Sequence, residues 1–331
     1  MKSYVLTFVF SVALAVGLNG AGTSAQSATD TVGAHVAAAK GAAGQDHLGL
    51  VNTLCAENVI RPAPAGGRGA GGGGAPAGPP DRAQWHAEPA KVFDNLYFVG
   101  MTEYSSWAIT TSQGIIILDT IFDYSVEDEI VGGLRKLGLD PTQIKYAIVS
   151  HAHTDHAGGA KYLQDHFGAR VMLSAADWDM LDRTNPPWKP KRDLVATDGQ
   201  KLTLGDTTLT LYVTPGHTPG TISTLIPVKD GGTSHLVAEW GGTLFNFART
   251  PENFDIYISS AERFRGIVAK ANADVAISNH TIYDGSKMKL PALAKRKAGD
   301  QHPYVIGNRA VQNYLTVAGE YAKAALTALN Q

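Results

Sequence analysis

A dense group of metal-binding side chains follows the end of a predicted buried strand. Residues 148–150 are the end of that strand, and residues 151–156 come directly after it. The candidate ligands in this loop are His151, His153, Asp155 and His156. In an extended loop the first two point to the same side and can bind one ion, whereas the last two turn into a helix and face a second ion. Because imidazole and carboxylate groups are common zinc ligands, the loop predicts a metal site rather than a solvated polar loop.

Two later histidines also follow predicted strands. His217 lies in the Pro/Gly-rich segment 214–220, directly after the strand 207–213. His280 follows the strand 275–278 in the same way. A single histidine at a strand end is more often a packed or surface residue. Combined with the first cluster, however, both are predicted to be metal ligands.

The chain from about residue 85 onward alternates between short β-rich segments and amphipathic helical segments. Strands are predicted at 95–100, 107–111, 114–119, 144–150, 171–174, 201–204, 207–213, 222–228, 235–239 and 275–278. Helices are predicted at 126–137, 157–166, 175–181, 259–271 and 311–329. This mixed α/β order predicts sheets that are covered by helices on their outer faces.

The first 25 residues are predicted to be a secretory signal peptide. Lys2 precedes the apolar run 4–18, and small residues precede Gln26, where cleavage is expected. The alternative is a short membrane anchor, but the run is short for a bilayer span. The only cysteine, Cys55, lies too late for a lipoprotein signal and cannot form an internal disulfide. The mature protein is therefore expected to be periplasmic or secreted.

Residues 26–84 are predicted to precede the folded domain. An Ala-rich, helical or partly ordered lead spans 26–60, and a Pro/Gly/Ala-rich linker spans 61–80. The glycines are not followed by the Gly-Lys-Ser/Thr of a phosphate-binding loop. The catalytic domain is placed at 85–331, and a chain that begins near Asp81 is expected to keep its fold and activity.

Composition narrows the range of partners. The chain is 44% hydrophobic and 18% charged with a net charge of −2, which supports a sizeable core but no basic nucleic-acid-binding surface. No later segment contains 18 consecutive apolar residues, so no membrane association is expected after signal removal. A small-molecule substrate is the expected partner, and the sequence does not determine the oligomeric state.

The motifs His-x-His-x-Asp-His, Gly-His-Thr-Pro-Gly and Asn-His together resemble those of the metallo-β-lactamase superfamily, over residues 88–285. The resemblance implies an αβ/βα four-layer sandwich with two Zn²⁺ at one edge, between the sheets. It assigns the first zinc to His151, His153 and His217. It assigns the second zinc to Asp155, His156 and His280. Asp119 matches an aspartate that supports the ligands in that fold, or is a plain strand-end aspartate.

One position separates the branches of this superfamily. Glyoxalase II, lactonases and ribonuclease Z usually carry a metal-bridging aspartate where this chain has Gly242, in the segment 240–245. The first two subclasses of class B metallo-β-lactamases use a cysteine there, and Cys55 lies far away in sequence. The chain is therefore most similar to the third subclass. That resemblance implies a zinc-dependent hydrolase that opens the amide of β-lactam antibiotics through a metal-bound hydroxide, with Asp155 as the catalytic residue.

Other functions remain open at this point. An exported zinc hydrolase of a lactone or thioester would use the same ligands. An iron enzyme that uses O₂, such as a persulfide dioxygenase, and a non-catalytic zinc-binding protein are also considered. Tyr104, Trp107, Tyr283 and the segment 178–188 are candidates for the pocket wall, but aromatic residues there are as often part of a core.

Overall fold

The computed structural model describes Met1 and residues 31–61 and 79–331. The predicted signal peptide, apart from Met1, and residues 62–78 of the predicted linker lie outside the described residues. Within the described residues, no helix is both long and apolar enough to cross a membrane.

The first sheet has seven strands in sequential order. They are β1 (Ala90–Lys91), β2 (Leu96–Phe98), β3 (Trp107–Thr111), β4 (Gly114–Leu118), β5 (Ile144–Ile148), β6 (Arg170–Ser174) and β7 (Leu194–Ala196). The pairs from β1 to β4 are antiparallel, and those from β4 to β7 are parallel. The carboxyl ends of β4, β5 and β6 therefore meet at one edge of the sheet.

The second sheet has five strands in the order β12-β11-β10-β9-β8. They are β8 (Gln200–Leu204), β9 (Thr207–Val213), β10 (Ile222–Asp230), β11 (Thr233–Trp240) and β12 (Val275–Ser278). Only the β11–β12 pair is parallel.

The helices are α1 (Val32–Ala43), α2 (Leu48–Leu54), α3 (Glu57–Ile60), α4 (Gly132–Lys136), α5 (Thr154–Ala157), α6 (Ala160–Phe167), α7 (Ala175–Thr184), α8 (Pro251–Ala271), α9 (Ser286–Ala294) and α10 (Asn308–Leu329). A π-helical turn, Glu127–Val131, leads into α4. Short 3₁₀ turns lie at Arg82–Gln84 and Pro141–Gln143.

Side-chain alternation along the strands creates three apolar layers. In β4, Ile116 and Leu118 face the second sheet, whereas Ile115 and Ile117 face the outer helices of the first sheet. This is the two-residue period of a strand that is buried on both faces. On the far side, Ala276 of the second sheet packs in one cluster with residues of α8 and α10. The order of layers is helix, sheet, sheet, helix, which confirms the αβ/βα sandwich.

The lead is part of this outer helical layer. Ala39, Leu50 and Leu54 are fully buried in the same apolar cluster as the buried residues of α10. His35 Nδ1 also lies 2.7 Å from Glu320 Oε2 of α10. The apolar positions of the lead therefore cover α10, and the expectation that the domain is self-sufficient from Asp81 does not fit this packing.

A chain that starts at Asp81 is therefore expected to be much less stable than a chain that starts at residue 31. Burial of each leucine side chain contributes about 1.5–3 kcal/mol, so loss of the lead should lower Tm by about 10 °C or more. Thermal unfolding of the two purified chains measures the difference. Equal Tm values would show that the lead contributes nothing to stability.

Candidate metal centre

Three strand-end loops converge at the edge where both sheets present carboxyl ends. The loop 149–159 follows β5, the loop 214–221 follows β9, and the loop 279–285 follows β12. The first segment is joined to the second at the start of β10, where Ile222 N donates to Ser150 O at 2.8 Å, and to the third by Asn279 Nδ2, which donates to Ser150 Oγ at 3.3 Å. All six predicted ligands are thereby brought into one site.

The first three histidines place one ring nitrogen each at a common point. His217 Nε2 lies 3.1 Å from His151 Nε2 and 3.1 Å from His153 Nδ1. The ligands of a tetrahedral zinc ion, at about 2.0–2.1 Å from the metal, lie roughly 3.3–3.4 Å from one another. The spacing of these three nitrogens therefore fits a zinc-sized ion.

Hydrogen bonds on the far side of the rings fix which nitrogen carries the proton. His151 Nδ1 donates to Gly241 O at 2.8 Å, and His217 Nδ1 donates to Leu244 O at 2.6 Å. In the neutral rings both Nε2 atoms then present lone pairs to each other. Two acceptors at this distance do not form a hydrogen bond, so a cation between them is the arrangement that satisfies both.

The second set of ligands is adjacent to the first. His156 Nε2 lies 3.1 Å from Asp155 Oδ2 and 3.3 Å from His280 Nε2, and the last two atoms are 3.6 Å apart. Potential ligand atoms of His151, Asp155 and His156 also lie within 4.8 Å of one another. The two groups of three are therefore close enough to act on one substrate.

Asp119 supports the second set from below. Its Oδ2 accepts hydrogen bonds from His156 Nδ1 at 2.9 Å and from Ser150 Oγ at 2.8 Å, and its Oδ1 accepts from Ser150 N at 2.6 Å. Asp119 is buried. It therefore orients the ring of His156 and directs the Nε2 lone pair toward the other two ligands.

The backbone after β4 is strained around this contact. Asp119 has φ 60° and Ile121 has φ 51°, in the region that favours glycine. Between them, Thr120 donates from both N and Oγ1 to His156 O, each at 2.8 Å. Such a backbone conformation costs about 1–3 kcal/mol per residue. Here it places the residues that hold both the ring and the backbone of His156.

Burial and neighbouring charges set the protonation of the ligands. Burial lowers the pKa of His217 to about 3 and that of His280 to about 3. Burial opposes protonation of His156 as well, but the Asp155 and Asp119 carboxylates outweigh this effect and raise its pKa to about 10. Metal ligands must be deprotonated, so of these three histidines only His156 has to lose a proton to become a ligand.

A cavity of about 430 Å³ opens above the two sets of ligands. Besides the candidate ligands other than His156, it is lined by Tyr104, Thr154, Thr243, Leu244, Asn246, Asn279 and Tyr283. The rings of Tyr104 and Tyr283 are tilted against that of His280, with centroids 5.0 Å and 4.9 Å away. Trp107 and Trp178, in contrast, are buried in the core. Of the candidate wall residues, the two tyrosines line the cavity.

A second cavity of about 590 Å³ continues from the first, and both are lined by His153, His217 and Asn246. Its apolar wall includes Met180 and Ile256, and Ile256 is 44% exposed although it is a large apolar side chain. Met180 lies within the segment 178–188, which was a candidate rim.

Several supporting residues were not identified from the sequence. Asp177 of α7 is buried and accepts from Ala152 N, Thr218 Oγ1 and Gly220 N, each within 2.9 Å. It thereby ties two ligand loops together. Asn279 Nδ2 donates to Gly241 O at 2.8 Å. Asp177 lies in none of the metal motifs, whereas Asn279 is the first residue of the Asn-His motif, which by itself does not indicate a supporting role.

Gly242 lies against a ligand of the first set. A Cβ atom there would overlap the Cβ of His217 and lie 2.9 Å from its Cγ. The position is thus next to the metal centre, as the sequence comparison implied, but it has no room for a side chain while His217 keeps its place.

Comparison with known proteins supports the assignment of the fold. Residues 100–230 match the model of the metallo-β-lactamase superfamily. The chain is 30% identical over 152 residues to an N-acyl homoserine lactonase of Bacillus sp, covering 44% of this chain and 59% of the relative. It is 31% identical over 118 residues to a hydroxyacylglutathione hydrolase of Acidiphilium cryptum, covering 34% and 42% respectively. In both cases the match spans less than two thirds of the relative.

Among solved structures, the chain is similar to BJP-1, a subclass B3 metallo-β-lactamase of Bradyrhizobium japonicum. The TM-score is 0.63 at 28% identity, with 74% of this chain and 97% of that chain covered. This similarity extends over almost the whole solved structure, unlike the matches to the two hydrolases.

Proposed function

We propose that this chain, whose residues 100–230 match the model of the metallo-β-lactamase superfamily and which is similar to a subclass B3 structure, is a dizinc hydrolase that opens the amide of β-lactam antibiotics. The observation that carries this proposal is the composition of the ligand groups. Each has three protein ligands, and the chain has glycine at position 242, where lactonases usually carry a metal-bridging aspartate. A site with three protein ligands keeps a position open for catalysis.

Two zinc ions in such sites supply Lewis acidity and a bound water whose pKa is lowered to about 7. The residues of the chain orient the reaction around this chemistry. Asp155 presents Oδ2 to the second group of ligands, and its carboxylate would accept a hydrogen bond from the attacking water and orient it. Tyr104 and Tyr283 stay protonated at neutral pH, since burial raises the pKa of both phenols. They therefore can donate hydrogen bonds to the substrate.

The second candidate is an exported hydrolase of a lactone or thioester. The similarity to a lactonase and to a hydroxyacylglutathione hydrolase favours it. Two observations favour the lactamase. Position 242 is a glycine and so supplies no carboxylate, and the similarity to BJP-1 covers 97% of that subclass B3 structure.

Hydrolysis rates of zinc-loaded protein on a panel of substrates distinguish the two candidates. The panel contains a penicillin, a cephalosporin, a carbapenem, a lactone and a thioester. We expect kcat/KM for at least one β-lactam to exceed the values for the lactone and the thioester by tenfold or more. A lactone or thioester preference would instead support the second candidate.

The metal content is expected to be two zinc ions per chain. His280→Ala is expected to reduce it to about one, because one of three ligands of the second site is lost while the first is untouched. Elemental analysis after saturation with zinc and removal of free metal measures both values. A wild-type content of one or less would contradict the two-metal centre.

We further propose that residues 1–25 direct export, so that the enzyme acts in the periplasm or outside the cell, where it would confer antibiotic resistance. The charged start and the apolar run 4–18 support this proposal. The mass of protein recovered from the periplasm of an expression host tests it, with cleavage before Gln26 as the expected result. Retention of the full-length chain in the cytoplasm would contradict it.

A further inference from the structure

Helix α2 of the lead lies directly against the loop that carries His280. A Cβ atom at Gly49 would overlap the carbonyl oxygen of Ile282, two residues after His280. Thr53 Oγ1 donates to Gly49 O at 2.8 Å, so this glycine remains within the hydrogen-bonded helix at the contact. The close approach of two backbones is possible because position 49 has no side chain.

His47, the residue before α2, contacts α10, and α10 in turn contacts a residue of the cavity wall. His47 is buried, and its Nε2 donates to Ala310 O at 2.7 Å. Its ring meets the ring of Tyr314 edge-on, with centroids 5.4 Å apart. Tyr314 in turn lies with its hydroxyl 3.3 Å from Thr243 Oγ1, and Thr243 lines the cavity.

The end of the lead contacts the loop that orients His217. Arg249 Nη2 donates to Ile60 O at 2.9 Å, at the end of α3. Arg249 belongs to the loop 241–250, and Leu244 of that loop accepts the hydrogen bond that orients His217. The lead therefore contacts one loop behind each group of ligands.

We propose that residues 47–60 are a positioning segment of the metal centre. The contact of Gly49 with Ile282 fixes the loop of His280, and the contact of Ile60 with Arg249 fixes the loop that orients His217. The proposal rests on the two-metal centre of the proposed function. Loss of partners that orient a ligand typically reduces metal affinity 10–100-fold, which sets the size of the expected effect.

Other contacts limit this effect to the lower end of that range. Asp284 accepts from Ser278 N at 2.9 Å and from Ser286 N at 2.8 Å, so it holds both ends of the His280 loop. Thr281 N also donates to Glu103 O at 3.1 Å. The loop keeps its general course without the lead, and the lead sets its final position.

Gly49→Ala in the full-length mature protein tests the first contact. The added methyl group should push α2 from Ile282, weaken zinc binding at the second site about tenfold, and leave the first site within about twofold of wild type. Competition with a chelator measures the two affinities. Gly41→Ala in α1 is the matched control, since its Cβ meets nothing within 4 Å.

Arg249→Gln tests the second contact and should show the opposite selectivity. Loss of the hydrogen bond to Ile60 O should weaken the first site several-fold and leave the second site unchanged. If each variant weakens a different metal site, the effect is one of positioning. A general destabilisation of the fold would weaken both sites together. Equal weakening of both sites by either variant, or normal affinities with only a lowered Tm, would overturn the proposal.

Amide hydrogen exchange in the metal-stripped protein provides a readout that depends on neither zinc nor substrate. Gly49→Ala is expected to increase exchange at residues 281–286 about tenfold, and Gly41→Ala is expected to leave it unchanged. A result of this kind would stand even if the substrate panel showed no β-lactam hydrolysis. Unchanged exchange in Gly49→Ala would show that the lead does not hold this loop.

Discussion

Replacement of Asp155 by asparagine is expected to lower kcat/KM for the preferred substrate by about three orders of magnitude. The carboxylate lies 3.1 Å from His156 Nε2 and 3.6 Å from His280 Nε2. The amide keeps the size of the side chain but removes its charge. It is therefore both a weaker metal ligand and a weaker hydrogen-bond acceptor for the attacking water.

Steady-state kinetics and zinc content, measured on the same preparations, separate these two contributions. Asp123→Asn is the matched control. It makes the same chemical change at an exposed residue that lies shortly after the strained residues Asp119 and Ile121. An activity of Asp155→Asn within threefold of wild type in fully loaded protein would remove Asp155 from the catalytic residues.

Gly242→Asp is expected to abolish most zinc binding at the first site and with it most activity. Sequence comparison alone favours the opposite result, since an aspartate in this place bridges the metals in the lactonase branch. In this chain the new Cβ would overlap the side chain of His217, which must move and lose its hydrogen bond to Leu244 O. Overpacking of this kind also lowers stability by about 1–3 kcal/mol.

Retention of zinc against a chelator distinguishes the two expectations, because it should decrease if His217 is displaced and increase if a bridging ligand is gained. Gly266→Asp is the control, as it places the same residue on α8 with nothing within 4 Å. Higher retention in Gly242→Asp would show that His217 and the loop 241–250 rearrange readily. That outcome would weaken the distinction from the lactonase branch.

The convergence of the six candidate ligands could be predicted because they lie in short contiguous motifs at strand ends. His151 and His153 need only an extended loop to face one point, and the apolar segments before them mark the strands. Asp177 has no such local signature. It lies on a helix whose pattern indicates burial, and its three hydrogen bonds reach loops 25, 41 and 43 residues away along the chain.

Composition predicted a helical or partly ordered lead at 26–60, and α1, α2 and α3 lie within it. Its packing was not predictable in the same way, because nothing local indicates that α10 offers a complementary surface. The start of α8, by contrast, does have a local sequence signal. Thr250 caps the helix and Pro251 occupies its first turn, so the helix begins eight residues before the predicted start at 259. Long-range packing, rather than local propensity, accounts for most of the remaining differences.

Each group of ligands draws on both sheets, and this has a mechanical consequence. The first joins His151 to His217, 66 residues apart, and the second joins His156 to His280, 124 residues apart. A metal ion bound at either place would close a long loop of the chain, as a disulfide does in many secreted proteins. The sequence has one cysteine and so cannot form an internal disulfide, and the proposed zinc ions would supply cross-links of that kind. Binding free energy at the centre is therefore also folding free energy, and zinc scarcity would lower resistance to unfolding as well as the rate of hydrolysis.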